Sequence, residues 1–141
     1  MERGISVSNS VKTISAMSLF VEDLQKTKSF YQEVFDVPVV FEDEVSVAVQ
    51  FDNLIINLLQ VSQAHTLIDP GVVAGREAGS RFQISIWVDD VDAVCADLER
   101  RGVVLLTRPT DREWGLRTAT FTDPGGHSWE IAQNLSKSAS S

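Results

Sequence analysis

The stretch Trp114-Gly115-Leu116-Arg117-Thr118-Ala119-Thr120-Phe121-Thr122-Asp123-Pro124-Gly125-Gly126-His127-Ser128-Trp129-Glu130-Ile131-Ala132-Gln133 decides how the rest of the chain is read. Two β-rich runs flank Asp123-Pro124-Gly125-Gly126. Proline presets φ and glycine accepts positive φ, so the tetrapeptide is a turn by its chemistry and the stretch predicts a hairpin. One carboxylate, Glu130, lies near its end.

Upstream, Thr13 to Glu22 alternates, with Ile14, Ala16, Ser18 and Phe20 against Met17, Leu19 and Val21. Period two predicts a strand. Asp23 caps a helix whose apolar positions are Leu24, Thr27, Phe30, Tyr31, Val34 and Phe35, and Pro38 ends it. Val39–Phe41, Val45–Phe51 and Leu54–Val61 read as strands separated by the acidic 42–44 and by Asp52-Asn53. Residues 62–81 carry Pro70 and three glycines and show no periodicity. So long a break in a compact domain is a connector first and a lid second. The first pattern then returns. Phe82–Val88 alternates, Asp89 or Asp90 caps a helix with Val91, Val94, Cys95 and Leu98, and Gly102 closes it. Val103–Leu106 predicts a strand before the hairpin.

The chain thus reads β-α-β-β-β twice. Val21, Asp23 and Leu24 correspond to Val88, Asp90 and Val91 at an offset of 67. Phe51 corresponds to Phe121 at 70, and Leu59 and Gln60 to Ala132 and Gln133 at 73. The growth of the offset places the added length between helix and third strand and again at the hairpin turn. The fold class is α+β, with segments 1–12 (flexible), 13–61 (first module), 62–81 (linker), 82–134 (second module) and 135–141 (disordered tail). A unit with one uncovered sheet face needs a second copy to bury it.

The motifs Phe20-Val21-x-Asp23-Leu24, Phe30-Tyr31, Trp87-Val88-x-Asp90-Val91, Trp114-Gly115-x-Arg117 and Phe121-x-Asp123-Pro124-Gly125-Gly126-His127-x-x-Glu130 carry a resemblance over residues 13–134. Together they resemble the vicinal oxygen chelate superfamily, which includes glyoxalase I, extradiol dioxygenases, fosfomycin-resistance enzymes and bleomycin-resistance proteins. The resemblance implies two tandem βαβββ modules whose curled sheets form a cup-shaped cavity, often completed across a homodimer. It also implies four metal-ligand positions, which fall here on Ala16, Asn57, Gln83 and Glu130. The family set is His or Gln, Glu, His, Glu. Ala16 cannot ligate and Asn57 is a weak neutral donor, which leaves Gln83 and Glu130 as candidate metal ligands. His127, three residues from Glu130, should face the other way, and His65 lies in the linker. The resemblance therefore falls nearest the metal-free, drug-sequestering members. A lyase or isomerase using a divalent metal is the alternative, and an interaction module with a filled cup is a third.

Strand alternation gives the residues that would line the cup. With Glu130 facing inward go Ser128 and Ala132, and by matching faces Phe20, Asn57, Gln83, Ser85 and Trp87. Trp114 can stack on a flat ligand or pack in the core or an interface. Such a face is a ligand pocket or a polar dimer interface, and Glu130 would act there as a general base or as the counter-charge of a cationic ligand. Arg117 shares its face with Phe121 and is expected to form a salt bridge.

Bulk properties narrow the partners. The 141 residues suit one domain, and a net charge of −8 disfavours nucleic acid, whose phosphates need basic surfaces. One cysteine, Cys95, excludes an internal disulfide and fits a reducing, cytoplasmic setting. No apolar run reaches membrane-spanning length, and residues 1–12 lack a signal-peptide core.

Overall fold

The computed structural model describes residues 11–136. Of the expected loose ends, 1–12 and 135–141, residues 1–10 and 137–141 lie outside the described residues. Strand β1 (Ala16–Val21) is followed by helix α1 (Leu24–Phe35), β2 (Val39–Glu42), β3 (Ser46–Gln50) and β4 (Ile55–Gln60). Then come β5 (Gln83–Trp87), helix α2 (Val91–Arg100), β6 (Thr107–Asp111), β7 (Leu116–Thr122) and β8 (Ser128–Asn134). The strands form two four-stranded mixed sheets of identical topology, β1-β4-β3-β2 and β5-β8-β7-β6. In each the first strand runs parallel to the last, and the other pairs are antiparallel.

The linker holds a four-residue helical turn, His65–Ile68, and each module's own helix starts where the sequence places a side-chain cap. Asp23 accepts from the Lys26 amide and Asp90 from the Ala93 amide, each satisfying a donor that the first turn leaves open. Helix α1 stops before Pro38: Asp36 turns into the left-handed region (φ 53°) and its N–H bonds the Gln32 carbonyl. Gly102, at φ 96°, follows α2 in the same region. Leu135 is tied back through its N–H to the Gly115 carbonyl.

The ladders correct two expectations. Val103–Leu106 is not a strand; the fourth strand of the second sheet is Thr107–Asp111, which contains Pro109. The strand lies at the sheet edge, and its register slips between Thr107 and Thr110, so the missing proline N–H breaks no ladder bond. The alignment of the third strands also shifts. Val49 pairs with Ile56 as Phe121 pairs with Trp129, so Val49, not Phe51, is the counterpart of Phe121. The offset there is 72, so the hairpin turn of the second copy gains one residue and nearly all the added length precedes the third strand. The Phe20–Leu59 and Trp87–Ala132 pairs keep the offsets of 67 and 73.

One core serves both modules. Leu19, Val21, Val47, Val49, Ile56 and Leu58 of the first sheet join Phe121, Trp129 and Ile131 of the second and the buried sides of both helices. Phe35 is central to it. Its ring lies 4.6 Å from Trp129 and 5.3 Å from Phe51, so an α1 side chain bridges the two copies. Packing of this kind supplies most of the stability that short helices lack on their own. No helix is long and apolar enough to cross a membrane among the described residues.

Candidate functional site

Each sheet turns one apolar face to this core and leaves a mixed face open. On the open face of the second sheet, the register aligns one residue from each strand: Ser85, Glu130, Thr120 and Thr107. Cross-strand partners share a face, so these four side chains form a continuous polar row. Ser85 Oγ donates to Glu130 Oε1 at 2.7 Å, and the hydroxyls of Thr107 and Thr120 lie 2.8 Å apart. Gln83 and Ser128 make the neighbouring row, with Gln83 Nε2 donating to Ser128 Oγ at 3.1 Å. Trp87 stands two residues beyond Ser85 on the same strand face and is 59% exposed.

The equivalent row of the first sheet is Ser18, Asn57, Ala48 and Phe41. Asn57 Nδ2 reaches Ser18 Oγ at 3.3 Å, repeating the Ser85–Glu130 contact without a charge. Thus duplication has kept the geometry while only the second copy carries the carboxylate. Phe20 lies on this face, half-buried, with its Cα partner Leu59 fully inside.

Of the residues singled out in the sequence, Gln83, Ser85, Trp87, Ser128 and Glu130 come together on one face. Asn57 and Phe20 belong to the matching face of the other sheet. Trp114 stands apart. It lies beyond the Leu116–Asn134 pair, four residues along β8 from Glu130, which is roughly 13 Å of strand. It is 69% exposed, so it does not pack in the core. Sequence reasoning passed over Thr118, Thr120 and Thr122, although their strict alternation with Ala119 and Phe121 is visible in the sequence.

The donor set around Glu130 is a poor match for a divalent metal. Glu130 supplies one carboxylate, whose Oε1 already accepts from Ser85, and Gln83 supplies a neutral amide on the adjacent pair. His127 bonds Asp123 and His65 bonds the Ser62 carbonyl, so neither imidazole joins Glu130. Among the described residues no three His, Cys, Asp or Glu side chains converge. A single carboxylate with amides and hydroxyls does not fit the imidazole–carboxylate preference of transition metals.

A second polar group is buried between the modules. Asp123 is 3% exposed, and its Oδ2 accepts from the Tyr31 hydroxyl at 2.6 Å. Its Oδ1 accepts from the Gly125 and His127 amides and lies 3.0 Å from His127 Nδ1. Burial pushes the Asp123 carboxyl up, but the bonds and charge of His127, with Tyr31, outweigh it and hold the carboxyl below its ordinary value. Burial raises the Tyr31 phenol well above its ordinary value, and the Asp123 charge adds to this. The Trp129 indole N–H opposes that shift weakly, from a geometry too poor to count as a hydrogen bond. Arg117, as expected, forms ion pairs, at 2.8 Å with Asp92 and 2.9 Å with Asp111.

The sequence model of the Glyoxalase/Bleomycin resistance protein/Dioxygenase superfamily matches residues 13–131. An uncharacterized protein of Bacillus subtilis (strain 168), YraH, is 34% identical over 122 residues, covering 83% of this chain and 94% of YraH. A glyoxalase/bleomycin resistance protein/dioxygenase from Nocardioides superposes with a TM-score of 0.79 at 19% identity, covering 91% of this chain and 89% of that one. A lactoylglutathione lyase from Agrobacterium tumefaciens does so with a TM-score of 0.68 at 20% identity, covering 88% and 95%. At these identities the two structures share the fold alone.

Proposed function

The chain belongs to the glyoxalase/bleomycin resistance protein/dioxygenase superfamily, and from that premise we propose that it binds a small organic molecule on the open face of the second sheet, in a cup that a second copy completes. The observation that carries this reading is the row Ser85–Glu130–Thr120–Thr107 beside the exposed Trp87 ring. A few converging polar groups next to an aromatic wall are the ingredients of a small-molecule site. Glu130 is the counter-charge of a cationic group, and Trp87 stacks on a flat one. Ser85 and Glu130 form a hydroxyl–carboxylate pair on this face, but neither imidazole joins it, so sequestration, as of a drug, is the reading we favour over turnover. A second copy is supported by the apolar side chains that the open faces leave in water, Trp87 on the second sheet and Phe41 on the first. The buried Cys95 thiol, raised by burial, accords with a structural role in a reducing cytoplasm.

Titration with flat cationic and glycopeptide-like drugs, followed by tryptophan fluorescence, tests the reading. Saturable quenching that weakens about tenfold in Glu130→Gln supports it; no response across the panel sinks it. The rival reading, a divalent-metal lyase or isomerase at Gln83 and Glu130, requires a stoichiometric transition metal that is lost in Glu130→Ala. It draws on the family alone, because the donor set does not fit.

A further inference from the structure

A cavity of about 380 Å³, whose lining does not include Glu130, lies between β1, the 62–81 segment and the Asp123–His127 turn. Its apolar wall includes Phe20, Ile68, Val72 and Phe82. Its polar rim carries Arg76, Arg81, Ser80 and His127, with Glu22 as the one acidic lining residue. We propose that this cavity is a second binding site, for a small organic monocarboxylate whose apolar body lies against Phe20 and Phe82.

Charge complementarity argues for an anion. The chain has a net charge of −8, and carboxylates are plentiful enough to pair Lys28, Arg100, Arg101, Arg108 and Arg117. Among the described residues Lys12, Lys26, Arg76, Arg81 and Arg112 have no such partner, and of these Arg76 and Arg81 line the cavity. Arg76 is held in place by its Nε bond to the Gly125 carbonyl at 3.2 Å, which leaves its terminal nitrogens for a ligand. The approach is close: a Cβ on Gly126 would lie 3.2 Å from Arg76 Nε. A guanidinium fixed in this way loses less freedom on binding a carboxylate.

The imidazole is oriented as well. The buried Asp123 engages His127 Nδ1, which fixes the ring at the rim as a reporter of binding, while the N–H groups of Arg76 and Arg81 are the donors to a carboxylate. Ser80 Oγ, 3.4 Å from the Gly126 carbonyl, holds the same linker end against the turn. The volume stands near the lower bound of roughly 300 Å³ for ligand pockets, which suits a compact molecule. Glu22 at the rim disfavours a second negative charge. The 62–81 segment thus roofs a site as well as joining the modules.

Benzoate, phenylacetate and the neutral phenylacetamide are the probes. Binding is read from the His127 Cε1–H resonance, assigned with His65→Gln because the chain has two histidines. Expected are saturable shifts with both acids, at least tenfold weaker binding of the amide, and at least tenfold weaker acid binding in Arg81→Gln. Arg81 is exposed, so that variant keeps its melting temperature. Acid binding in Glu130→Gln is unchanged, which separates this site from the open face. Equal affinity for acid and amide, no shift up to the solubility limit, or loss in Glu130→Gln but not in Arg81→Gln overturns the proposal.

Discussion

Tyr31 and Asp123, 92 positions apart, share a 2.6 Å hydrogen bond in the core. The phenol comes from the helix of the first module and the carboxylate from the hairpin turn of the second. The contact therefore ties the copies together at the point where Phe35 packs on Trp129. Tyr31→Phe keeps the ring but takes from Asp123 Oδ2 its short donor, leaving the 3.1 Å contact with His127 Nδ1. Urea unfolding should show a loss of about 1–3 kcal/mol, the usual range for losing a buried hydrogen bond to a charged group. An unchanged midpoint would mean that the bond does not form in solution.

Acid should weaken the same junction. The folded Asp123 carboxyl lies below its ordinary value of 3.8, so between the two values the unfolded chain binds more protons. Its contribution is complete above about pH 4 and is lost as pH falls through the folded value. Glu42 and Asp92 are depressed too, by surface pairs with Lys28 and Arg117 that salt weakens, and the exposed Asp43 by hydrogen bonds from Val45 and Ser46. In melting temperature against pH at 0.5 M salt, the Asp123→Asn variant identifies the buried group: it should flatten the acid limb. At the alkaline end the raised Tyr31 phenol gives the mirror case, with stability lost as pH rises above about 10.

Arg117 bridges α2 and β6 through Asp92 and Asp111 on the surface. Both carboxylates are more than half exposed. Arg117→Ala should therefore lower the melting temperature slightly in low salt and less in 1 M salt. A large, salt-independent loss would show that the guanidinium does more than pair charges.

If a second copy covers the open face, the chain should sediment at about twice 15.6 kDa at micromolar concentration. Trp87→Glu, which puts a charge where an exposed indole now stands, should shift it towards the monomer without changing its melting profile above the dissociation range. Sedimentation equilibrium decides. Monomer behaviour of the parent chain at high concentration would remove the second copy from the account.

Local chemistry made part of this fold legible. Asp23, Asp90, Gly102 and the Asp123–Gly126 turn act through neighbours within four residues, and each works where the sequence places it. The period-two faces likewise brought Gln83, Ser85 and Glu130 together. What depends on register was harder. Phe51 and Phe121 look alike, yet hydrogen bonding aligns Val49 with Phe121 because the second turn is one residue longer. Thr107–Asp111 was hidden by Pro109, which reads as a breaker unless the strand is known to be an edge. The Tyr31–Asp123 bond and the cavity beneath residues 62–81 depend on side chains brought together by the packing of the modules, so no spacing announces them.

In the proposed function Glu130 and its hydroxyl neighbours hold an organic ligand. The most direct measurement is a crystal structure of protein purified without chelators and soaked with the tightest binder from the drug panel, with anomalous data. Ligand density against the Glu130 carboxylate and the Trp87 ring, with no anomalous peak there, is the expected result. A transition-metal peak on Glu130, or ligand density confined to another surface, would contradict it.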